Sequence, residues 1–198
     1  NICNTSDKLC VNCAGVVNKT YGVINKSRRK DYYILYMTEG EMFMEIDNKK
    51  LCISEGQLII IKPGTLYSYY GVTGKKVQYL WIHFSGNEAK NTVFNFNLML
   101  NTVMNIGVRQ KLFECWRHIF YEFLKNDEFF SESSCCILKQ ILIMFSRYAN
   151  SNNKKQQFLK SLFYIHEHFE ADICIRDLSE LENLSETHFR SEFKKSFG

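Results

Sequence analysis

The sequence predicts an α+β chain: a β-barrel or sandwich over about residues 14–86, amphipathic helices within 87–150, and an all-α segment over 151–198. Three observations carry this. Short branched and aromatic runs with turn signals every 8–12 residues fill the first part, the pattern of an all-β sandwich or barrel. Apolar residues at helical spacing then replace them. Residues 150–157 (NSNNKKQQ) contain nothing apolar and read as a linker.

Residues 1–13 read as polar and loose, and the first strands begin around Val16-Val17 and Tyr21 to Ile24. Residues 27–30 (SRRK) read as a solvated basic turn. Residues 31–38 (DYYILYMT) are a buried strand by composition. After Gly40, residues 42–46 pair with 51–53 across Asp47-Asn48-Lys49, a hairpin signal. An apolar run at 58–61 leads to the Pro63-Gly64 turn, and strands follow at 66–72 and 77–84. In the last of these the period of two puts Tyr79, Trp81 and His83 on one face and Leu80, Ile82 and Phe84 on the other. Flat rings with hydrogen-bonding tips suit a small polar ligand, a sugar above all. The same pattern fits a core strand whose Trp and His are internally satisfied.

Residues 87–105 read as a polar connection. Leu112, Trp116, Ile119, Phe120 and Phe123 then mark one helix, and Leu138, Ile141, Leu142, Phe145 and Tyr148 mark a second, antiparallel to it. Most of this surface should cover the barrel, with enough left over, at Ile137, Ile143 and Met144, to allow a homodimer. Beyond the linker, residues 158–169 form a helix with Phe158, Leu159, Leu162, Ile165 and Phe169 inward.

The stretch 173–198 reads as a short helix, a turn at Glu182-Asn183-Leu184 and a second helix capped by Ser185. Phe189 and Phe193 form one stripe of that second helix. Thr187, Arg190, Ser191 and Lys194 fall on the other side, with Lys195 beside them. This is the layout of a helix-turn-helix that reads double-stranded DNA. On that reading Arg190 could donate two hydrogen bonds to a guanine edge, Thr187 and Ser191 offer short donors and acceptors, and Lys194 and Lys195 meet phosphates.

The chain resembles the AraC/XylS family of bacterial transcription regulators. The residues that carry the resemblance are Ile173, Ile175, Asp177-Leu178, Leu184-Ser185, His188-Phe189, Phe193-Lys194-Lys195 and Gly198, together with residues 39–70 and YLWIHFSG at 79–86. The resemblance implies a cupin-like double-stranded β-barrel that binds a small effector, often a sugar, a helical section that dimerises, and a DNA-binding domain of two helix-turn-helix units. Gly198 matches the glycine that ends the first recognition helix, so the expectation is two parts: an effector domain over 1–150, and a truncated DNA-binding domain over 151–198. Trp81 and Tyr69 match positions that touch the effector in sugar-sensing members, while Glu39 and Tyr79 occupy pocket positions with a different residue type. Tyr67 stands where many members carry His, Ser191 where Arg is common, and Ser179 and Cys174 replace the usual Ala and Ser/Thr cap.

The rival expectation is a cupin-fold enzyme, an isomerase or dioxygenase. Metal-binding cupins need several histidines and a glutamate on adjacent strands, and between Gly40 and the end of the barrel this sequence has His83 alone. A typical first shell takes three protein ligands, so no metal, cofactor or catalytic residue is expected. The net charge of +4 permits a nucleic-acid partner without requiring one. No apolar run is long enough to span a bilayer, which makes a cytoplasmic location the default. The eight cysteines lie mostly in apolar patterns and read as buried, reduced thiols. Cys10 and Cys13 form a CxxC without the second ligand pair that a zinc site wants.

Overall fold

A computed structural model describes residues 8–19, 23–72, 74–150 and 158–197. The chain divides into two compact units, one within residues 1–149 and one within 150–198. In the first, nine strands among the described residues form two antiparallel sheets. The strands are β1 (Cys10–Lys19), β2 (Val23–Arg28), β3 (Tyr32–Glu39), β4 (Glu41–Ile46), β5 (Lys49–Ser54), β6 (Gln57–Ile61), β7 (Leu66–Gly71), β8 (Val77–Ser85) and β9 (Val103–Asn105). One sheet runs β1-β8-β3-β6-β9 and the other β2-β7-β4-β5. This is an α+β unit with a double-stranded β-barrel.

Strands β3, β6 and β8 of the larger sheet are buried on both faces, which explains the unbroken apolar reading of β3. Tyr33, Leu35 and Met37 point into the barrel with Tyr79 and Trp81 of β8. Ile34, Tyr36, Leu80, Ile82 and Phe84 point outward, under the helices α2 (Gln110–Lys125) and α3 (Phe130–Asn150). Alternation alone therefore sorts each strand into a cavity face and a helix-bearing face. Trp116 packs on Phe145, Phe123 on Phe130, and the Arg109 guanidinium lies 4.7 Å over the Tyr148 ring, so α2 and α3 run antiparallel. Asn126, left-handed at φ 48°, ends α2. In the smaller sheet the β4–β5 hairpin turns on two residues, Asp47 and Asn48, both at positive φ (46° and 66°), as a tight hairpin twist demands.

Several expectations change. The first strand starts at Cys10 rather than near Ala14, because Leu9 and Cys10 are drawn into the core under the helices; residues 1–7 and the linker residues 151–157 lie outside the described residues. The polar connection 87–105 contains α1 (Ala89–Asn95) and β9, which pairs with β6 at the sheet edge. Three residues are too few to show a period. Within 27–30, Ser27 and Arg28 belong to β2. Cys52, Cys136 and Cys174 are exposed, not buried.

The described residues of the second unit form the helices α4 (Leu159–Glu167), α5 (Ile175–Leu181) and α6 (Glu186–Phe197). Phe158, Leu178 and Phe189 form its core. Phe169 is exposed instead of inward, because α4 ends at Glu167. The Cys174 Sγ accepts from the Asp177 N–H at 3.5 Å and caps α5 where a hydroxyl is more usual. The Ser185 hydroxyl accepts from the His188 N–H at 3.4 Å and caps α6, and Asn183 makes the turn at φ 54°. Glu182 in that turn accepts from the Ser161 N–H at 2.9 Å, satisfying an end group of α4 and tying the turn to it.

Candidate functional site

The barrel holds an open cavity of about 330 Å³, within the range of small-molecule sites. From β8 it takes Tyr79, Trp81 and His83, alternate residues on the inward face. Tyr67 and Tyr69 of β7 and Tyr33 of β3 add further rings. Val17 and Lys19 of β1, with Ser27 and Arg29 at the end of β2, complete the wall. Pairing fixes these positions: Tyr33 faces His83, Val17 faces Tyr79, and Ser27 faces Tyr67.

The rings hold one another. His83 stacks on Tyr33 at 4.5 Å and meets Trp81 edge-on at 5.4 Å, and Tyr33 stacks on Tyr67 at 5.7 Å. The Tyr69 and Tyr79 hydroxyls lie 3.1 Å apart in a hydrogen bond. Burial, and then the Tyr69 hydroxyl, push the Tyr79 phenol far above its ordinary value. Burial does the same to Tyr33. These groups stay protonated at neutral pH and present O–H donors and lone pairs to a ligand.

A polar knot stands behind Arg29 and His83 of the wall. Arg29 donates from Nε and Nη2 to the two oxygens of buried Asp31, at 2.8 and 2.9 Å. Asn12 donates to Asp31 at 3.2 Å, and the Ser85 hydroxyl donates to Asn12 at 2.9 Å. His83 Nδ1 lies 3.3 Å from Asp31 Oδ1; its alignment falls outside hydrogen-bond geometry, so buried Nδ1 has no hydrogen-bond partner among the described residues. Burial alone would raise the Asp31 carboxyl. The contacts with His83, Arg29 and Asn12 outweigh it and hold the group well below the usual carboxylate range. Cys13 sits nearby with its thiol raised by burial, which keeps it protonated and a poor nucleophile. Among the described residues no three His, Cys, Asp or Glu side chains gather as metal ligands.

Gly15 faces Trp81 across the β1–β8 pair, and a Cβ there would overlap the indole at Cζ2 and Cε2. The missing side chain lets the ring lie flat on β1. Gly15→Ala is expected to displace the indole and cost about 1–3 kcal/mol of stability, as overpacking does. In urea titrations the cost should shrink when Trp81→Ala is added, since the two positions share one space.

Of the residues marked from sequence, Tyr69, Tyr79, Trp81 and His83 come together in the cavity. Glu39 does not: its carboxylate pairs with Lys76 Nζ at 2.8 Å at the solvent surface. Sequence reading missed Tyr33, Tyr67, Ser27, Arg29 and Lys19. The first two were within reach of the period of two. Arg29 had a signal in Asp31, two residues on.

On α6, Thr187, Arg190, Ser191, Lys194 and Lys195 are all exposed, while Phe189 is buried. Lys195 pairs with Glu192.

The chain is 22% identical over 179 residues to the Msm operon regulatory protein of Streptococcus mutans, covering 85% of this chain and 63% of that protein. It therefore spans a little under two thirds of that relative. Among solved structures, the Schizosaccharomyces pombe Cnp3 cupin domain matches 40% of this chain and 57% of its own at 16% identity and TM-score 0.35. The Clostridium difficile EutQ protein matches 37% and 56% at 18% identity and TM-score 0.31. The barrel assignment rests on the strand pairing itself. Residues 18–133, more than half of the chain and including most of the cavity wall, match the AraC-like ligand binding domain. The chain belongs to the family of AraC-like ligand-binding domains.

Proposed function

We propose that the protein is a ligand-responsive, sequence-specific DNA-binding transcription regulator. The observation that carries the reading is the aromatic cavity with hydroxyl and imidazole tips, inside a domain of the AraC-like ligand-binding family. Trp81 and Tyr69 offer stacking faces and Tyr79 and His83 offer hydrogen bonds, a combination that suits a sugar or sugar derivative. The α4–α6 unit acts as the start of a helix-turn-helix DNA-binding domain, with α6 reading the major groove through Thr187, Arg190 and Ser191 and meeting phosphates through Lys194 and Lys195. Its place of action is the cytoplasm, and no helix among the described residues is long and apolar enough to cross a membrane.

Control is a population shift, in which the effector binds one arrangement of the protein better than another. The sheet that lines the cavity is bonded to the helices. The Trp116 indole N–H donates to the Trp81 carbonyl at 3.3 Å. The Tyr36 hydroxyl donates to the Gly107 carbonyl at 2.9 Å and accepts from the Arg109 N–H at 3.0 Å. Arg109 in turn lies over Tyr148 near the end of α3. The regulator works as a homodimer, supported by the apolar residues Tyr121, Leu124 and Phe129 left exposed on and after α2, whereas Met144, expected on that surface, is buried in the core.

Selection of duplexes from a random pool by the intact protein, with and without effector, tests this. Arg190→Ala should relax preference at one base position and cost about 1–3 kcal/mol on the selected site. Lys194→Ala should weaken all sequences alike and lower the salt slope by about 1. Enrichment of no sequence, with or without effector, would contradict the reading.

A further inference from the structure

The charged part of the cavity wall has one sign. Lys19 and Arg29 line it, and among the described residues no carboxylate does. Asp31 stands behind Arg29 with both oxygens engaged, by Arg29 and by Asn12. The way Arg29 makes that pair matters. It uses Nε and Nη2, and its Nη1 has no hydrogen-bond partner among the described residues. Two hydroxyls stand with it, since Ser27 faces Tyr67 in the β2–β7 pair. Ser27, Arg29 and Tyr67 line the same cavity, and Ser27 and Arg29 pull down the Tyr67 phenol that burial raises. Tyr33 joins this group to His83 by stacking on both Tyr67 and His83.

We infer that the effector carries an acid group, a carboxylate or a phosphate, which binds at the Arg29, Ser27 and Tyr67 end of the cavity while its ring lies against Trp81. The guanidinium fork suits either anion. Asp31 fixes the fork in place and cancels part of its charge, and Lys19 adds a second positive charge to the wall. An anionic group gives Arg29 and Lys19 of the wall a stronger acceptor than the hydroxyls of a neutral ligand, so the wall favours it. The cavity volume of about 330 Å³ fits a single acidic sugar or a molecule of that size. The inference rests on the reading of this cavity as the effector site.

Titration calorimetry on the intact protein with matched sets tests it: glucose, glucuronate and glucose 6-phosphate; galactose, galacturonate and galactose 6-phosphate; ribose and ribose 5-phosphate. In at least one set an acidic member should bind about tenfold tighter than its neutral partner or better, as charge-assisted hydrogen bonds allow. The uronate and phosphate arms identify which anion is preferred. The preference should fall with added salt, and Tyr67→Phe and Ser27→Ala should each reduce it. These two variants leave the buried Arg29–Asp31 pair in place. Neutral sugars that bind as tightly as their acidic partners, with the binding lost in Trp81→Ala, would overturn the inference and leave the effector site standing. Binding by no member of any set would overturn both.

Discussion

Asp31→Ala is expected to remove about 3–5 kcal/mol of unfolding free energy, the usual cost of breaking a buried ion pair from one side. The carboxylate is 3% exposed and engages Arg29 through both oxygens. Without it a guanidinium is left in the wall of the barrel with no counter-charge, and Asn12 loses its acceptor. The pH dependence carries a sign. The folded-state carboxyl is held below its ordinary value, so the unfolded chain binds the proton more readily. The stabilisation is complete above the unfolded value of about 3.9 and is lost as pH falls below it toward the folded value. Urea unfolding from pH 6 down to pH 2 should show wild-type stability falling more steeply than that of Asp31→Asn below about pH 4. Parallel profiles would show that the pair contributes nothing.

Phe158→Ala is expected to cost about 3–5 kcal/mol in the second unit. The side chain is 0% exposed, and its ring meets those of Phe189, Phe193 and Phe197 at 5.4, 5.3 and 6.0 Å. A core this small supplies only about 3–5 kcal/mol in all, so the loss should melt α4–α6 while leaving the barrel folded. Hydrogen exchange read segment by segment on the intact chain checks this. Amides of 158–197 should lose protection, and those of β3 and β8 should keep it. Uniform protection in both units would contradict the packing described.

Sequence carried most of the barrel because strand faces obey a rigid period. Tyr79, Trp81 and His83 could be assigned to one face before any coordinates, and so could Leu80, Ile82 and Phe84 to the face that the helices cover. The Asp47-Asn48 turn was legible because those residues tolerate positive φ. What escaped was tertiary. β9 is three residues long and exists because β6 offers an edge. Leu9 is buried because the helices come down on it, which nothing in residues 1–13 announces. Arg29 looked like one more charge in a basic turn, and only the approach of Asp31, Asn12 and His83 makes it part of a site. Glu39 was placed by resemblance alone, and Lys76 holds it at the surface instead.

Tryptophan emission, titrated with an effector identified by calorimetry, tests most directly whether the barrel cavity is the binding site. The chain has two tryptophans: Trp81 lines the cavity, and Trp116 is 1% exposed in the core beneath the helices. The expected result is a saturable change in the wild-type protein at the calorimetric affinity, most of which disappears in Trp81→Phe. A tightly bound effector that leaves the emission unchanged, or that binds Trp81→Ala with undiminished affinity, would place the site elsewhere.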